Sequence, residues 1–365
     1  MSLDNCECAR PNDASADSDI EAGAARSHFM DCLQQKHTSG RHSNWSMLQV
    51  SSTDSIAEEN ILKSPIIQSA VSPATRAAVC IETFCLQADG ALVTVGFGTG
   101  FLHRRLGKWF VITNWHVATA RDPENPGALL EGYKSSPNAY SLHLAVKADP
   151  NRFVPTVPFA LYQNGAPNWL ETTINGVNGR VDLVALPVEL PVGADAPLVV
   201  PIEEFSPEPR DFLFAGREVV VVGYPFGIGA ANPHAIWKRA FVASEPSMLI
   251  AGMPKYYIDG PGRPGMSGSP VFILSRGMQV TADTHALLTN VESGGALAAL
   301  AQISSAELLS APDALIPRFA GVYSGSVGNQ SLDQLRVGIA WHASLVDRLF
   351  THPVPGSNPN PPFIM

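Results

Sequence analysis

The segment Gly265-Met266-Ser267-Gly268-Ser269-Pro270, followed by the apolar run Val271-Phe272-Ile273, sets a serine between glycines just ahead of a strand. Glycine permits positive φ and lets a ligand approach the backbone closely, so such a turn can expose the hydroxyl. Its amides can also converge on one point, which a developing oxyanion requires. A serine hydroxyl is a weak nucleophile until a base takes its proton, so the pattern calls for a histidine. Of the ten histidines, His28, His37, His42 and His352 lie in the terminal segments. His103, His143, His234 and His285 stand beside turns or polar stretches and read as surface residues. His342 lies between a strand and a helix start and reads as structural. His116 differs, because it directly follows the apolar strand of Val111-Ile112-Thr113-Asn114-Trp115 and opens a small-residue segment. A side chain at such a strand end can be held rigidly.

A base of this kind needs a carboxylate to fix its tautomer and stabilise the imidazolium. Between His116 and Ser267, Asp182 is the only aspartate embedded in an apolar run, Val181-Asp182-Leu183-Val184-Ala185-Leu186. A carboxylate there is costly to bury unless it is hydrogen-bonded. Asp122, Asp149, Asp195, Asp211 and Asp259 sit in turn-like surroundings. The order is therefore His, Asp, Ser, at spacings of 66 and 85 residues. The chemistry these types support is acyl transfer through an activated serine.

The elements that must position these residues are short strands. Ala78–Phe84, Ala91–Val95, Gly98–Leu102, Trp109–Thr113, Val181–Leu186, Glu218–Gly223, Ser269–Ile273, Phe319–Tyr323 and Leu335–Ala340 are rich in Val, Ile, Thr and Phe and bounded by turn residues. They recur without alternating helices, which predicts an all-β fold. Helical spacing occurs at Ser305–Leu315 and at Ala343–Phe350. The proline-studded stretch from Pro187 to Phe212 reads as a linker between two halves. The domain plan is a first half over 65–200, a second over 201–352, and a Pro-rich tail over 353–365 with no core of its own.

Residues 1–64 carry ten Asp/Glu against five Lys/Arg, with eleven serines and no apolar periodicity. This segment is expected to be disordered and to serve, if anything, as a contact for a partner protein. The whole chain has 365 residues, a net charge of −9 and no Lys/Arg run longer than two, so a nucleic-acid partner is not expected. No apolar stretch approaches membrane-spanning length. The acidic start lacks a secretory pattern, and five cysteines are an odd count for a disulfide framework; both point to a cytoplasmic protein. Cys6 and Cys8 lack a second ligand pair at zinc spacing. The glycines of Gly96–Gly100 and Gly223–Gly229 lack the lysine and the following helix of a phosphate cradle; tight barrel corners explain them better. No metal or cofactor is implied.

Taken together, Gly98-Thr99-Gly100-Phe101, Ile112–Val117, Val181–Leu186, Gly223-Tyr224-Pro225-Phe226-Gly227, Gly265–Pro270 and Gly321–Gly325 occur in an order that resembles the chymotrypsin/trypsin-like serine peptidases. The closer resemblance is to the bacterial intracellular type related to the Htr peptidases, over about residues 70 to 350. The resemblance implies two six-stranded Greek-key β-barrels with a peptide or protein substrate between them; the helical spacing at Ala343–Phe350 adds a C-terminal helix. It implies Ser267 as nucleophile, His116 as base then acid, and Asp182 as its orienter. The N–H groups of Gly265 and Ser267 would form the oxyanion hole. Tyr323, Ser324 and Gly325 would pair with an extended peptide as an added strand. Arg263 lies where relatives place the base of the first specificity pocket. No acidic residue stands between Gly260 and Ser267, so a Lys/Arg preference is not expected. Met266 replaces the aspartate that receives a freed N-terminus in the digestive members, so cleavage-driven activation is not expected either. The competing expectations are a catalytically silent peptide-binding or scaffold module and an esterase on another fold. The latter is disfavoured because a proline and a strand, not a helix, follow the serine.

Overall fold

Strand-forming runs with frequent turn residues fold here into two large antiparallel sheets and a two-stranded one, Tyr162–Gln163 with Ala166–Pro167. The computed structural model describes residues 71–193, 196–207, 212–230, 234–260, 262–278, 313–325 and 335–362. The expectations for residues 1–64 fall outside these.

A short helix α1 (Pro73–Ala77) leads into β1 (Ala78–Leu86), β2 (Leu92–Arg105) and β3 (Lys108–Thr113). The predicted strands at 91–95 and 98–102 are one continuous β2. One turn of helix, α2 (Trp115–Thr119), follows β3 and ends on Ala120, whose φ of 57° lies in the left-handed region. Then come β4 (Ala139–Val146), β5 (Asp149–Pro155), β6 (Phe159–Ala160), β7 (Tyr162–Gln163), β8 (Ala166–Pro167), β9 (Leu170–Glu171) and β10 (Val184–Val188).

The second half contains β11 (Glu218–Gly223), β12 (Ile236–Val242), β13 (Lys255–Asp259), β14 (Pro270–Met278), β15 (Asp313–Gly325) and β16 (Val337–His342). They close into a six-stranded barrel in the order β11-β12-β13-β16-β15-β14. Helix α3 (Ser344–Thr351) and β17 (Val354–Pro355) complete the chain. No helix among the described residues is long and apolar enough to cross a membrane.

The all-β class, the six-stranded second barrel and the C-terminal helix match the expectation. The first half differs in detail: its strands form a nine-stranded sheet, ordered β17-β9-β10-β3-β2-β1-β4-β5 with β6 on β4, instead of a closed six-stranded barrel. One of the extra strands is β17, which the C-terminal segment adds beside β9. That segment, expected to have no core of its own, docks because another sheet edge supplies its hydrogen bonds. The helix expected over Ser305–Leu315 lies mostly outside the described residues, and Asp313–Leu315 belong to β15. There the ladder with β14, pairing Arg276 with Leu315 and Ser275 with Ile316, overrides the local helical spacing.

One core joins the sheets. Phe101 and Ile112 of the first half cluster with Val220, Val222, Phe272 and Phe319 of the second. The rings of Phe101 and Phe319 meet edge-on at 5.2 Å. Each such buried aromatic stabilises the fold by about 1.5–3 kcal/mol through lost water contact.

At the end of β16, His342 Nε2–H donates to Pro246 O at 3.2 Å. Burial holds this imidazole below its ordinary range, and the carbonyl opposes that only in part. A group whose folded pKa is depressed in this way favours the native state when neutral. The melting temperature should therefore fall as the pH drops through the ordinary imidazole range, between about pH 7.5 and 5. His342→Asn should flatten that fall; thermal melts across the window that leave the slope unchanged would refute the assignment.

Candidate active site

Asp182 gathers the site. It lies just ahead of β10, not inside it as the sequence suggested: the strand begins at Val184, and Val181 and Asp182 are free of ladder pairing. Asp182 is 1% exposed. Such a carboxylate must be fully hydrogen-bonded, and it is. The backbone N–H of His116 donates to Oδ1 at 3.0 Å, and His116 Nδ1–H donates to Oδ2 at 2.8 Å. The Ser324 hydroxyl donates to Oδ2 at 2.5 Å. Asn114 Nδ2–H donates to the Asp182 carbonyl at 2.7 Å. The carboxylate thus grips His116 by backbone and ring at once, which fixes the proton on Nδ1 and leaves Nε2 as acceptor.

Helix α2 carries His116 and packs on β2 at Gly98, where a methyl group would stand 2.5 Å from Val117 Cγ1. The neighbouring Thr99 anchors the serine loop of the second half. Its N–H donates to Ser267 O at 2.8 Å, and its hydroxyl donates to Gly265 O at 2.7 Å. Thr113 Oγ1–H in turn donates to Thr99 O at 2.7 Å. The sequence pointed to Gly98-Thr99-Gly100 as a matching piece but not to this clamp. The signal was a threonine between glycines in a strand. These glycines serve close approach, not a tight corner.

The loop itself is tightly determined. Gly265 has φ 88° and Gly268 has φ 84°, a region that glycine adopts without strain. A methyl group at Gly268 would overlap Thr99 O and Thr113 Oγ1. Met266, expected to make no ion pair, is 1% exposed among Val219, Val221 and Val271. Its N–H donates to Arg263 O at 3.0 Å, and Ser269 N–H donates to Met266 O at 3.0 Å. The N–H groups of Gly265 and Ser267 bond to no acceptor among the described residues, so two donors from one turn stay open to a ligand.

The structure therefore brings His116, Asp182 and Ser324 into direct contact, while Ser267 is held by its backbone against β2. Among the described residues no hydrogen bond joins Ser267 Oγ to the His116 ring. Tyr323 and Gly325 flank Ser324 at a bulge in β15. Arg263 is exposed, and it helps burial to lower the pKa of nearby Lys238. His103, expected at the surface, is buried in β2 and stacks on Phe350 at 4.6 Å.

Behind His116 lies a second polar group that the sequence did not suggest. The Arg180 guanidinium sits over the Trp115 ring, 4.2 Å from its centre, and pairs with Glu171. Glu171 also accepts from Trp169 Nε1–H at 2.9 Å and from Ser357 N–H at 2.5 Å. Burial pushes its carboxyl pKa up in spite of these partners. Trp115 Nε1–H donates to Ser357 O at 2.9 Å, and Arg121 to Asn360 O at 3.0 Å. The C-terminal segment is thus a strap against the residue next to His116.

Among the described residues no group of three His, Cys, Asp or Glu could hold a metal ion. No protein family and no curated protein matches the chain. A solved structure with some similarity is that of Rv3671c from M. tuberculosis H37Rv, a serine-to-alanine mutant in its inactive form. It is 17% identical, with a TM-score of 0.34, over 78% of this chain and 94% of that one.

Proposed function

We propose that this chain is a trypsin-like serine endopeptidase. The observation that carries this reading is the buried Asp182 holding His116 by its N–H and Nδ1–H, across from a glycine turn with two open amides. In the proposed reaction Ser267 Oγ attacks the scissile carbonyl as His116 Nε2 takes its proton. The oxyanion accepts from the N–H groups of Gly265 and Ser267. His116 then protonates the leaving amine, and an ester to Ser267 remains. Water, deprotonated by His116, attacks the ester, and proton return to Ser267 releases the acid. Asp182 stays ionised throughout and steadies the imidazolium. The substrate backbone lies along Ser324–Gly325, and not along Tyr323 as the sequence suggested, because the N–H and C=O of Tyr323 are bonded to Ser269 and Gly268; Arg263 stands at the rim of the pocket for the adjoining side chain. No cofactor enters this scheme. A cytoplasmic setting belongs to the same reading, supported by the free thiol of Cys80; burial, with Glu82 close by, pushes that thiol up to about 12.

The competing reading is a silent peptide-binding module, and the missing Ser267–His116 hydrogen bond favours it. Catalytic hydrogen bonds in free enzymes are often long and tighten only with substrate. Labelling with a fluorophosphonate probe separates the two. The wild type should label, and Ser267→Ala and His116→Ala should not. A wild type that fails to label would leave the binding module standing.

A further inference from the structure

Tyr323 packs beside the turn that carries Ser267. Gly268 N–H donates to Tyr323 O at 2.8 Å, and Tyr323 N–H donates to Ser269 O at 2.9 Å, so the residue is tied directly to the nucleophile turn. Its side chain is 3% exposed and wedged between two glycines from different segments. A methyl group at Gly338 would stand 2.5 Å from Tyr323 Cε2 and 2.8 Å from its hydroxyl oxygen. One at Gly262 would stand 2.7 Å from the same oxygen and 4.0 Å from Gly325 Cα. The two glycines and the ring are thus fitted to one another, and the Tyr323 side chain reaches from 323–325 to Gly262. Tyr323 also lines a small pocket of about 10 Å³ with Met266, Val221, Ala240 and Ile258, too little for a further side chain.

The residue whose carbonyl is attacked carries its side chain one bond from the reacting carbon. That carbon must come to about 3–3.5 Å from Ser267 Oγ, with its oxygen at the Gly265 amide. With the peptide laid along β15, the side chain points into the gap that Tyr323 occupies.

We propose that Tyr323 is a specificity-determining residue that restricts the acyl-side residue to small side chains, of the size of Gly, Ala, Ser or Val, and excludes aromatic and long basic ones. This rests on the reading of Ser267 as the acylated residue. Its test is built to separate the two. Fluorophosphonate labelling of the wild type reports the serine alone. The pocket is read without catalysis, by fluorescence anisotropy of Ser267→Ala protein with two dye-labelled octapeptide pools. The pools are randomised at the flanks and carry Ala or Phe at the central position. The Ala pool should bind at least about tenfold tighter, since each misfitted methylene can change selection by 10- to 200-fold. In the Tyr323→Ala background the ratio should fall severalfold, as the volume of the ring becomes free. Tyr323→Leu, which keeps the apolar filling, serves if the alanine variant does not fold. Equal affinity for the two pools, tighter binding of the Phe pool, or no binding by either would overturn the proposal, whatever the fluorophosphonate result.

Discussion

Replacing Asp182 with asparagine is expected to lower kcat on a peptide substrate by about four orders of magnitude, with KM and the fold nearly unchanged. Three donors converge on this carboxylate: His116 N–H, His116 Nδ1–H and the Ser324 hydroxyl. A carboxylate accepts all three, whereas an amide offers one accepting oxygen and one NH₂ group. If the NH₂ faces the ring, His116 must turn its unprotonated nitrogen towards residue 182, and the proton then sits on the nitrogen that should accept from Ser267. If the NH₂ faces the backbone, two N–H groups oppose each other in a buried site, where an unmet donor costs about 1–3 kcal/mol. The first outcome is the lesser strain, and it removes the base. Ser324→Ala should cost far less, because His116 is still gripped at two points. Steady-state kinetics of the two variants, with melting curves to verify folding, make the comparison. An asparagine variant within tenfold of wild type would mean that His116 is not the proton acceptor.

Much of this site was legible because each residue carries a local signature. A serine between glycines before a strand, a histidine just past an apolar strand and a lone aspartate in an apolar run can each be found without a fold. What could not be read depends on contacts distant in sequence. Thr99 clamps Ser267 from 168 residues away, and nothing around Thr99 states its partner. Val181–Leu183 have strand-like residue types, yet the ladder begins at Val184, because Asp182 must turn inward to meet His116. Leu315 has helical neighbours in sequence but a strand partner in space. The first half was expected to close on itself, but the edge beside β9 is taken by β17, a pairing between residues more than 180 apart. Composition also misled at the C-terminus. Proline-rich segments lack a core of their own, but prolines suit an edge strand, and Val354–Pro355 is one.

That strap carries the second large expectation. A chain ending at His352 should lose about tenfold to a hundredfold in kcat, with a smaller change in KM, and should melt at a lower temperature. Removing 353–365 takes away Ser357 O from Trp115 Nε1–H, Ser357 N–H from Glu171 and Asn360 O from Arg121. Glu171 is 5% exposed and balances Arg180, so loosening it frees the guanidinium that covers the Trp115 ring. Trp115 directly precedes His116 and Arg180 lies two residues before Asp182, so they share the backbone segments of that pair. Movement there shifts the ring relative to Ser267, and a misplacement of about 1 Å can cost on the order of a hundredfold in rate. Glu171→Gln separates charge from strap. It keeps the hydrogen-bonding shape but leaves Arg180 without its counter-charge, so it should reproduce part of the loss in kcat with the C-terminal segment still present. If the strap only stabilised the fold, both variants would melt earlier yet turn over normally at low temperature. A fall in kcat well below the melting transition is the result that assigns the segment to positioning His116.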